Sequence, residues 1–238
     1  MNWRHELKFI IDEAAFHQLY FTLRPVMHRD LHAIGSDPPA FNSYRIRSLY
    51  FDDEGRNGIF EKLSGVDRRY KYRIRIYNDS DQVIHLEKKI KHCDLSFKDS
   101  CQISRAQVDG LLAGDPEAIL DDYSGTARHR ADQLRLQFYT EMRTRLLRPR
   151  LMVDYERIPL LWQDGNVRIT FDCHLSSSLH RLDLWDPAAA LQPVMDAGEL
   201  IMEVKFDHFL PDFIRSAIQL PGISPLAISK YVMCTSNG

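Results

Sequence analysis

The stretch Arg69-Tyr70-Lys71-Tyr72-Arg73-Ile74-Arg75-Ile76-Tyr77 decides the fold. Alternation with period two puts Lys71, Arg73 and Arg75 on one face of a strand and Tyr72, Ile74 and Ile76 on the other. After a turn at Asn78 to Asp81, Val83 to Lys91 repeats the arrangement, with His85, Glu87, Lys89 and Lys91 opposing Ile84, Leu86 and Ile90; only Lys88 interrupts the apolar face. Further strands are read at Ser43 to Phe51, Leu95 to Cys101 (carrying Lys98), Arg150 to Leu161, Gly165 to Leu175 and Glu199 to Phe206. In the last two, Arg168, Thr170 and Asp172 oppose Val167, Ile169 and Phe171, while Glu203 and Lys205 oppose Met202, Val204 and Phe206. At the start of the chain Arg4, Glu6 and Lys8 share a face opposite His5, Leu7 and Phe9.

Between these strands the spacing turns helical. Asp12 is an N-cap for a helix through about Leu23 that Pro25 ends, and Asp52-Asp53 cap a short helix reaching about Leu63. Ser104 opens another that ends near Gly114, and Ala127 to Leu147 forms a long helix with Leu134, Phe138, Met142 and Leu146 on one stripe. The arginines clustered there (Arg128, Arg130, Arg135, Arg143, Arg145, Arg148) read as a solvated face. Two short helices, Pro211 to Gln219 and Ser224 to Met233, close the chain, and Gly35 to Pro39 reads as a loop. With no repeat, low-complexity tract or linker, residues 1–238 are read as one domain.

The chain has 31 Lys and Arg against 33 Asp and Glu, a net charge of −2, with 44% hydrophobic and 27% charged residues. That excludes disorder, collagen and coiled coil. It also argues against a duplex-DNA binder, which needs a surplus of surface cations, so no nucleic-acid partner is expected. Cys93, Cys101, Cys173 and Cys234 form no CxxC or tight zinc-ligand spacing and read as reduced thiols of a cytoplasmic protein. The N-terminus has no apolar signal core.

Strands with one charged and one apolar face can close into a barrel with helices on its apolar outside and the charges within. The cations would be Lys8, Arg73, Arg75, Lys89, Lys98, Arg157, Arg168, Lys205 and Lys230, against Glu6, Glu87 and Glu203. Such a lumen requires a polyanion to neutralise it, because unpaired buried charge is too costly to persist. Arginine suits phosphate through its permanently protonated fork, and a few carboxylates can hold a divalent metal on phosphate oxygens. Alternation alone is equally compatible with an open, solvated sheet.

Eight strings then occur in a characteristic order: RHELKF (Arg4–Phe9), SLYFDD (Ser48–Asp53), KYRIRIY (Lys71–Tyr77), LEKK (Leu86–Lys89), VDYERIPL (Val153–Leu160), VRITFD (Val167–Asp172), MEVKF (Met202–Phe206) and SKY (Ser229–Tyr231). This resembles the VTC-type polyphosphate polymerase domains of the triphosphate tunnel metalloenzyme superfamily, over essentially the whole chain. The resemblance implies an α+β fold, an eight-stranded antiparallel β-barrel with helices outside, that transfers the γ-phosphate of ATP onto polyphosphate. It implies a catalytic clamp of Lys8, Arg73, Arg75, Lys89, Arg157, Arg168 and Lys230, with Lys98 and Lys205 adding to substrate binding. Glu203, with Glu6, would hold Mn²⁺ or Mg²⁺. Two positions depart from related patterns: Arg4 stands where the CYTH branch opens its ExExK motif with Glu, and Ser100 stands where many members carry a second basic residue after Lys98.

Other readings keep the same site with different outcomes: a tripolyphosphatase using water as acceptor, or a non-catalytic polyphosphate or inositol-phosphate sensor. Eukaryotic relatives work in membrane complexes, so a separate membrane-protein partner would place this chain at the inner face of a membrane; no pattern specifies an oligomeric state. His28-Arg29-Asp30-Leu31 lacks the remaining kinase motifs, His28 and His32 lack a third metal ligand, and Asp207-His208 reads as a turn. No GxxxxGK is present, which excludes a P-loop.

Overall fold

A computed structural model describes residues 3–30, 41–123, 125 and 129–236. In chain order the elements are β1 (Arg4–Asp12), α1 (Glu13–Leu23), β2 (His28–Arg29), β3 (Tyr44–Asp52), α2 (Asn57–Leu63), β4 (Arg68–Tyr77), β5 (Ser80–His92), β6 (Leu95–Ile103) and α3 (Arg105–Leu112). There follow α4 (Arg130–Thr144), β7 (Arg148–Trp162), β8 (Val167–Ser178), β9 (Gln192–Pro193), β10 (Glu199–Phe206), α5 (Asp212–Ile218) and α6 (Lys230–Ser236).

Eight strands pair antiparallel in the order β7-β3-β4-β5-β6-β1-β10-β8, and pairing of β8 with β7 closes the ring. The β1–β6 seam is the shortest junction, with only Arg4 against Ser96 and His5 against Leu95. The two-residue strands β2 and β9 lie on β7 and β8.

The apolar faces lie outside, under helices. Phe16, Leu19 and Leu23 of α1 and Ile214 of α5 cover Phe9, Ile169, Phe171 and Met202. Leu134, Phe138 and Met142 of α4, with Val108 and Leu111 of α3, cover Leu49, Tyr72, Ile74, Ile84 and Leu86. The interior is not uniformly charged: Ile46, Leu151, Val153, Leu175 and Ile201 form a third apolar cluster that receives Tyr231 and Cys234 of α6. No helix among the described residues is long and apolar enough to cross a membrane.

Most expected elements are present, and their differences have local causes. The β4–β5 hairpin needs only Asn78 and Asp79, both left-handed (φ 51° and 53°), so β5 begins at Ser80. Asp52 and Asp53 accept from the amides of Gly58 and Asn57, capping α2 from upstream while the helix itself starts at Asn57. The expected start of the long helix at Ala127 lies outside the described residues; the helix ends at Thr144, because Leu146 turns left-handed (φ 55°) and exposed while Leu147 takes the buried place. The last helix begins at Lys230 and not at Ser224, since the Leu226 amide donates to the Lys8 carbonyl at 2.8 Å and straps that segment to β1. Residues of the Gly35–Pro39 loop, and His32, lie outside the described set.

Gly110 on α3 shows how tightly the helical layer is packed. A Cβ there would sit 2.4 Å from the Ala118 Cβ. Gly110→Ala is therefore expected to lose about 1–3 kcal/mol by overpacking despite alanine's better helix propensity, read as a lowered denaturant midpoint.

Candidate functional site

Strand alternation places Lys8, Lys71, Arg73, Arg75, Lys89, Arg157, Glu203 and Lys205 on the inner face. Register then sets them side by side: Lys8 opposite Glu203, Glu6 opposite Lys205, Arg73 opposite Glu87, and Lys71 opposite Lys89. Two cavities lie within the ring, a narrow one of about 140 Å³ and a wider one of about 660 Å³, and both are lined by Arg73, Arg75, Lys89, Arg157 and Lys205. Eleven lysines and arginines line the narrow cavity with two carboxylates, Glu6 and Glu203. Arg4, Lys98 and Arg168 add three more cations at the wide one, with no further carboxylate.

Buried carboxylates organise the cations into groups. Glu87 accepts from Arg73 at 2.7 Å and Lys98 at 2.6 Å, with Arg75 at 3.9 Å. Asp172 receives both ends of the Arg157 fork, at 2.6 and 2.7 Å, and lies 2.6 Å from Lys230. Glu203 accepts from Lys205 at 2.6 Å and Lys230 at 2.8 Å, with Lys8 and Arg157 at 3.5 and 3.6 Å. Glu6 accepts from Lys89 at 2.8 Å. Arg168 stands at the wide mouth, bonded to Asp30 and to the Tyr44 hydroxyl.

Burial alone would raise the pKa of Glu203 and Glu6, but the surrounding lysines, with Arg157 at Glu203, hold both well below the usual carboxylate range. Burial likewise works against the charge on Lys8, yet Glu6 and Glu203 outweigh it and the net shift is upward. Lys71 and Lys89 go the other way: burial pushes them down to about 7 and about 8, and nearby carboxylates offset only part of this. The Lys71 ammonium has no hydrogen-bond partner among the described residues and sits 4.2 Å over the Tyr231 ring.

These lysines give the site a pH dependence whose sign follows from the shifts. Above the lowered native values the folded side chains are neutral, whereas the unfolded ones stay protonated to about 10.5, so stability rises with pH from about 7 toward 10.5. A bound polyanion favours the charged forms and reverses the shift. Affinity for a polyanion such as tripolyphosphate is therefore expected to fall between pH 7 and 9, with protons taken up on binding, as measured by titration calorimetry in two buffers of different ionisation heat. A pH-independent affinity with no proton uptake would remove Lys71 and Lys89 from the contact.

All nine cations predicted from the sequence line the cavities, together with Glu6 and Glu203. Asp172 is not among the expected site residues, although it shares a face with Arg168 and Thr170 and alternation alone marks it. Lys62, Arg69, Lys71 and Lys91 also line the narrow cavity; the last three follow from the faces of Arg73 and Lys89, and Lys62, on α2, from no pattern. Arg145, read as part of a solvated helix face, bonds Asp53, Tyr70 and Glu141.

The donor set of Glu203 and Glu6 fits a divalent ion. Both are ionised oxygen ligands on paired strands, sharing Lys8 and Lys205 as neighbours. A hard cation in a phosphate site takes one or two carboxylates and completes its shell with phosphate oxygens and water.

Comparison with known proteins gives a match between residues 3–237 and the model of the VTC domain family. No curated protein matches significantly. Among solved structures, the PH1819 protein of Pyrococcus horikoshii OT3 aligns with a TM-score of 0.49 at 13% identity over 99% of each chain. A Bacillus halodurans protein described as "a putative adenylate cyclase" aligns with a TM-score of 0.46 at 12% identity, over 92% of this chain and 88% of that one.

Proposed function

The chain belongs to the VTC domain family, and from that membership we propose that it is a polyphosphate polymerase that moves the γ-phosphate of ATP onto a chain threaded through the ring. The observation that supports this most is the cation surplus along two cavities that share five basic residues. A linear polyanion matches such a lining along its whole length, whereas a single compact phosphate would neutralise only part of it.

Phosphoryl transfer asks little covalent chemistry of the protein, so positioning and charge neutralisation supply most of the rate. Arg73, Arg75, Lys89 and Arg157, which line both cavities, would grip the reacting phosphates, with Lys8 and Lys230 at the narrow side and Lys98 and Arg168 at the wide side. Lys205 would add to the grip beside Glu203. The terminal oxygen of the chain attacks the γ-phosphorus, the bond to the bridging oxygen breaks, and ADP leaves with that electron pair. The attacking oxygen is already anionic, so no general base is required. Glu203 and Glu6 would hold Mn²⁺ or Mg²⁺, which supplies further neutralisation of phosphate oxygens when bound.

Incubation with ATP and Mn²⁺, followed by gel separation of products, tests the reading. Long polyphosphate with stoichiometric ADP is expected. Free phosphate would make the protein a hydrolase, and tight polyphosphate binding without ATP consumption would make it a sensor.

A further inference from the structure

We propose that Glu156, Cys173 and His174 form a binding site for a zinc-class divalent cation on the outer wall of the ring, separate from the phosphate path. Their oxygen, sulfur and nitrogen donors all lie within 4.8 Å of one another. The His174 Nδ1 is 3.3 Å from a Glu156 carboxylate oxygen, and the other oxygen of that carboxylate accepts from the Ser43 hydroxyl.

Two consecutive strand residues ordinarily point to opposite faces, so a Cys-His dipeptide cannot close on one ion. Here the backbone departs from that rule at the place where the departure matters. Glu156 pairs with Cys173 and Asp154 with Ser176, so Tyr155 alone stands opposite both His174 and Leu175. His174 is the extra residue of a β-bulge and is left-handed, with φ 54°. Bulges re-aim side chains, and this one brings His174 to the side where Glu156 and Cys173 already face each other. A side chain in this backbone region is uncommon outside glycine, which makes the position a candidate for function.

The donor set fits the cation class. Thiolate and imidazole favour zinc over magnesium or calcium, and three protein ligands leave a fourth position for water or a small ligand. That position has room: a cavity of about 620 Å³ reaches the three residues and is also lined by His17, Phe41 and Glu199. Glu203 and Glu6 in the ring offer only oxygen donors, so the two sites differ in metal preference. Glu156 and Cys173 directly adjoin Arg157 and Asp172 in sequence, so an ion here would also pin the β7–β8 junction that holds that pair.

The test uses the metal-free full chain with zinc and no nucleotide, so its outcome does not depend on phosphate transfer. Equilibrium dialysis is expected to find one tightly held zinc per chain, and cobalt in its place should show a thiolate charge-transfer band. Cys173→Ser and His174→Asn should each weaken zinc by more than about 100-fold, beyond what the loss of an outer-sphere partner costs; asparagine tolerates the left-handed backbone, so the bulge survives. Added zinc should raise the melting temperature of the parent chain but not of these variants. Cys93→Ser, at an exposed thiol, and Glu203→Gln, in the ring, should leave zinc affinity unchanged. Absence of bound zinc, unchanged affinity in Cys173→Ser and His174→Asn, or loss confined to Glu203→Gln would each overturn the proposal.

Discussion

Asp172→Ala is expected to cost about 3–5 kcal/mol of folding stability, the usual result of stripping one partner from a buried ion pair, measured by urea or guanidinium unfolding. Asp172 is fully buried and holds the Arg157 fork at both ends together with Lys230. Without it, Lys230 keeps Glu203 at 2.8 Å, but the one carboxylate left within 4 Å of Arg157 among the described residues is Glu203, at 3.6 Å. The lining is already rich in cations, so the variant adds repulsion to lost attraction. This origin makes the defect reversible by ligand. Tripolyphosphate brings anionic oxygens to the same cations, so it should raise the melting temperature of Asp172→Ala by more than that of the parent protein. Equal shifts in the two proteins would place Asp172 among purely structural residues and detach it from the phosphate path.

Much of this arrangement is legible in the sequence, up to a phase that alternation cannot supply. The string Tyr-Arg-Ile-Arg occurs twice, at Tyr44–Arg47 and at Tyr72–Arg75. In β4 the arginines point inward; in β3 they point outward. Register explains the difference, since Ser48 lies opposite Arg75 and Tyr50 opposite Arg73, which assigns Arg47, next to Ser48 and opposite Ile76, to the other face. There Arg47 bonds Asp154 and the carbonyls of Leu184 and Asp186, fully buried outside the ring. A one-residue change of phase exchanges the two faces, and nothing within either string fixes it. Only the ordered set of family strings separates the two.

Closure is equally hidden, because beside the local β7–β8 pairing it needs the β1–β6, β1–β10 and β3–β7 seams between strands far apart in the chain. The β1–β6 seam joins residues about ninety positions apart through two pairs, while β7–β8 joins sequence neighbours. The bulge at His174 leaves no mark in composition either, since a left-handed histidine is set by the pairing around it. Helix caps were the opposite case: Asp12 accepts from the Ala15 amide and Ser104 forms a reciprocal pair with Gln107, both local interactions that short-range pattern predicts well.

Under the proposed phosphoryl transfer, Arg75→Ala is expected to lower the rate by about 10³-fold or more, the scale on which an arginine facing a transferring phosphate acts, while leaving the fold intact. The argument rests on compensation. Arg73 is matched by Glu87 at 2.7 Å, so its charge is largely committed within the protein. Arg75 instead bonds two neutral hydroxyls, Ser48 at 3.2 Å and Tyr155 at 3.1 Å, with its nearest carboxylate 3.9 Å away and Arg73 repelling it. Its charge is not committed to a close carboxylate and stays available to a phosphate, from a position lining both cavities. Removing it relieves repulsion among cations and leaves no carboxylate stranded, so the free protein should be as stable as the parent or more so. Arg75→Lys should recover little of the rate, because an ammonium cannot reproduce two parallel bonds to phosphate oxygens. Single-turnover transfer measured beside chemical denaturation separates the two effects. A variant that unfolds more easily but transfers normally when folded would make Arg75 a structural residue and pass its role to Arg157 or Lys89.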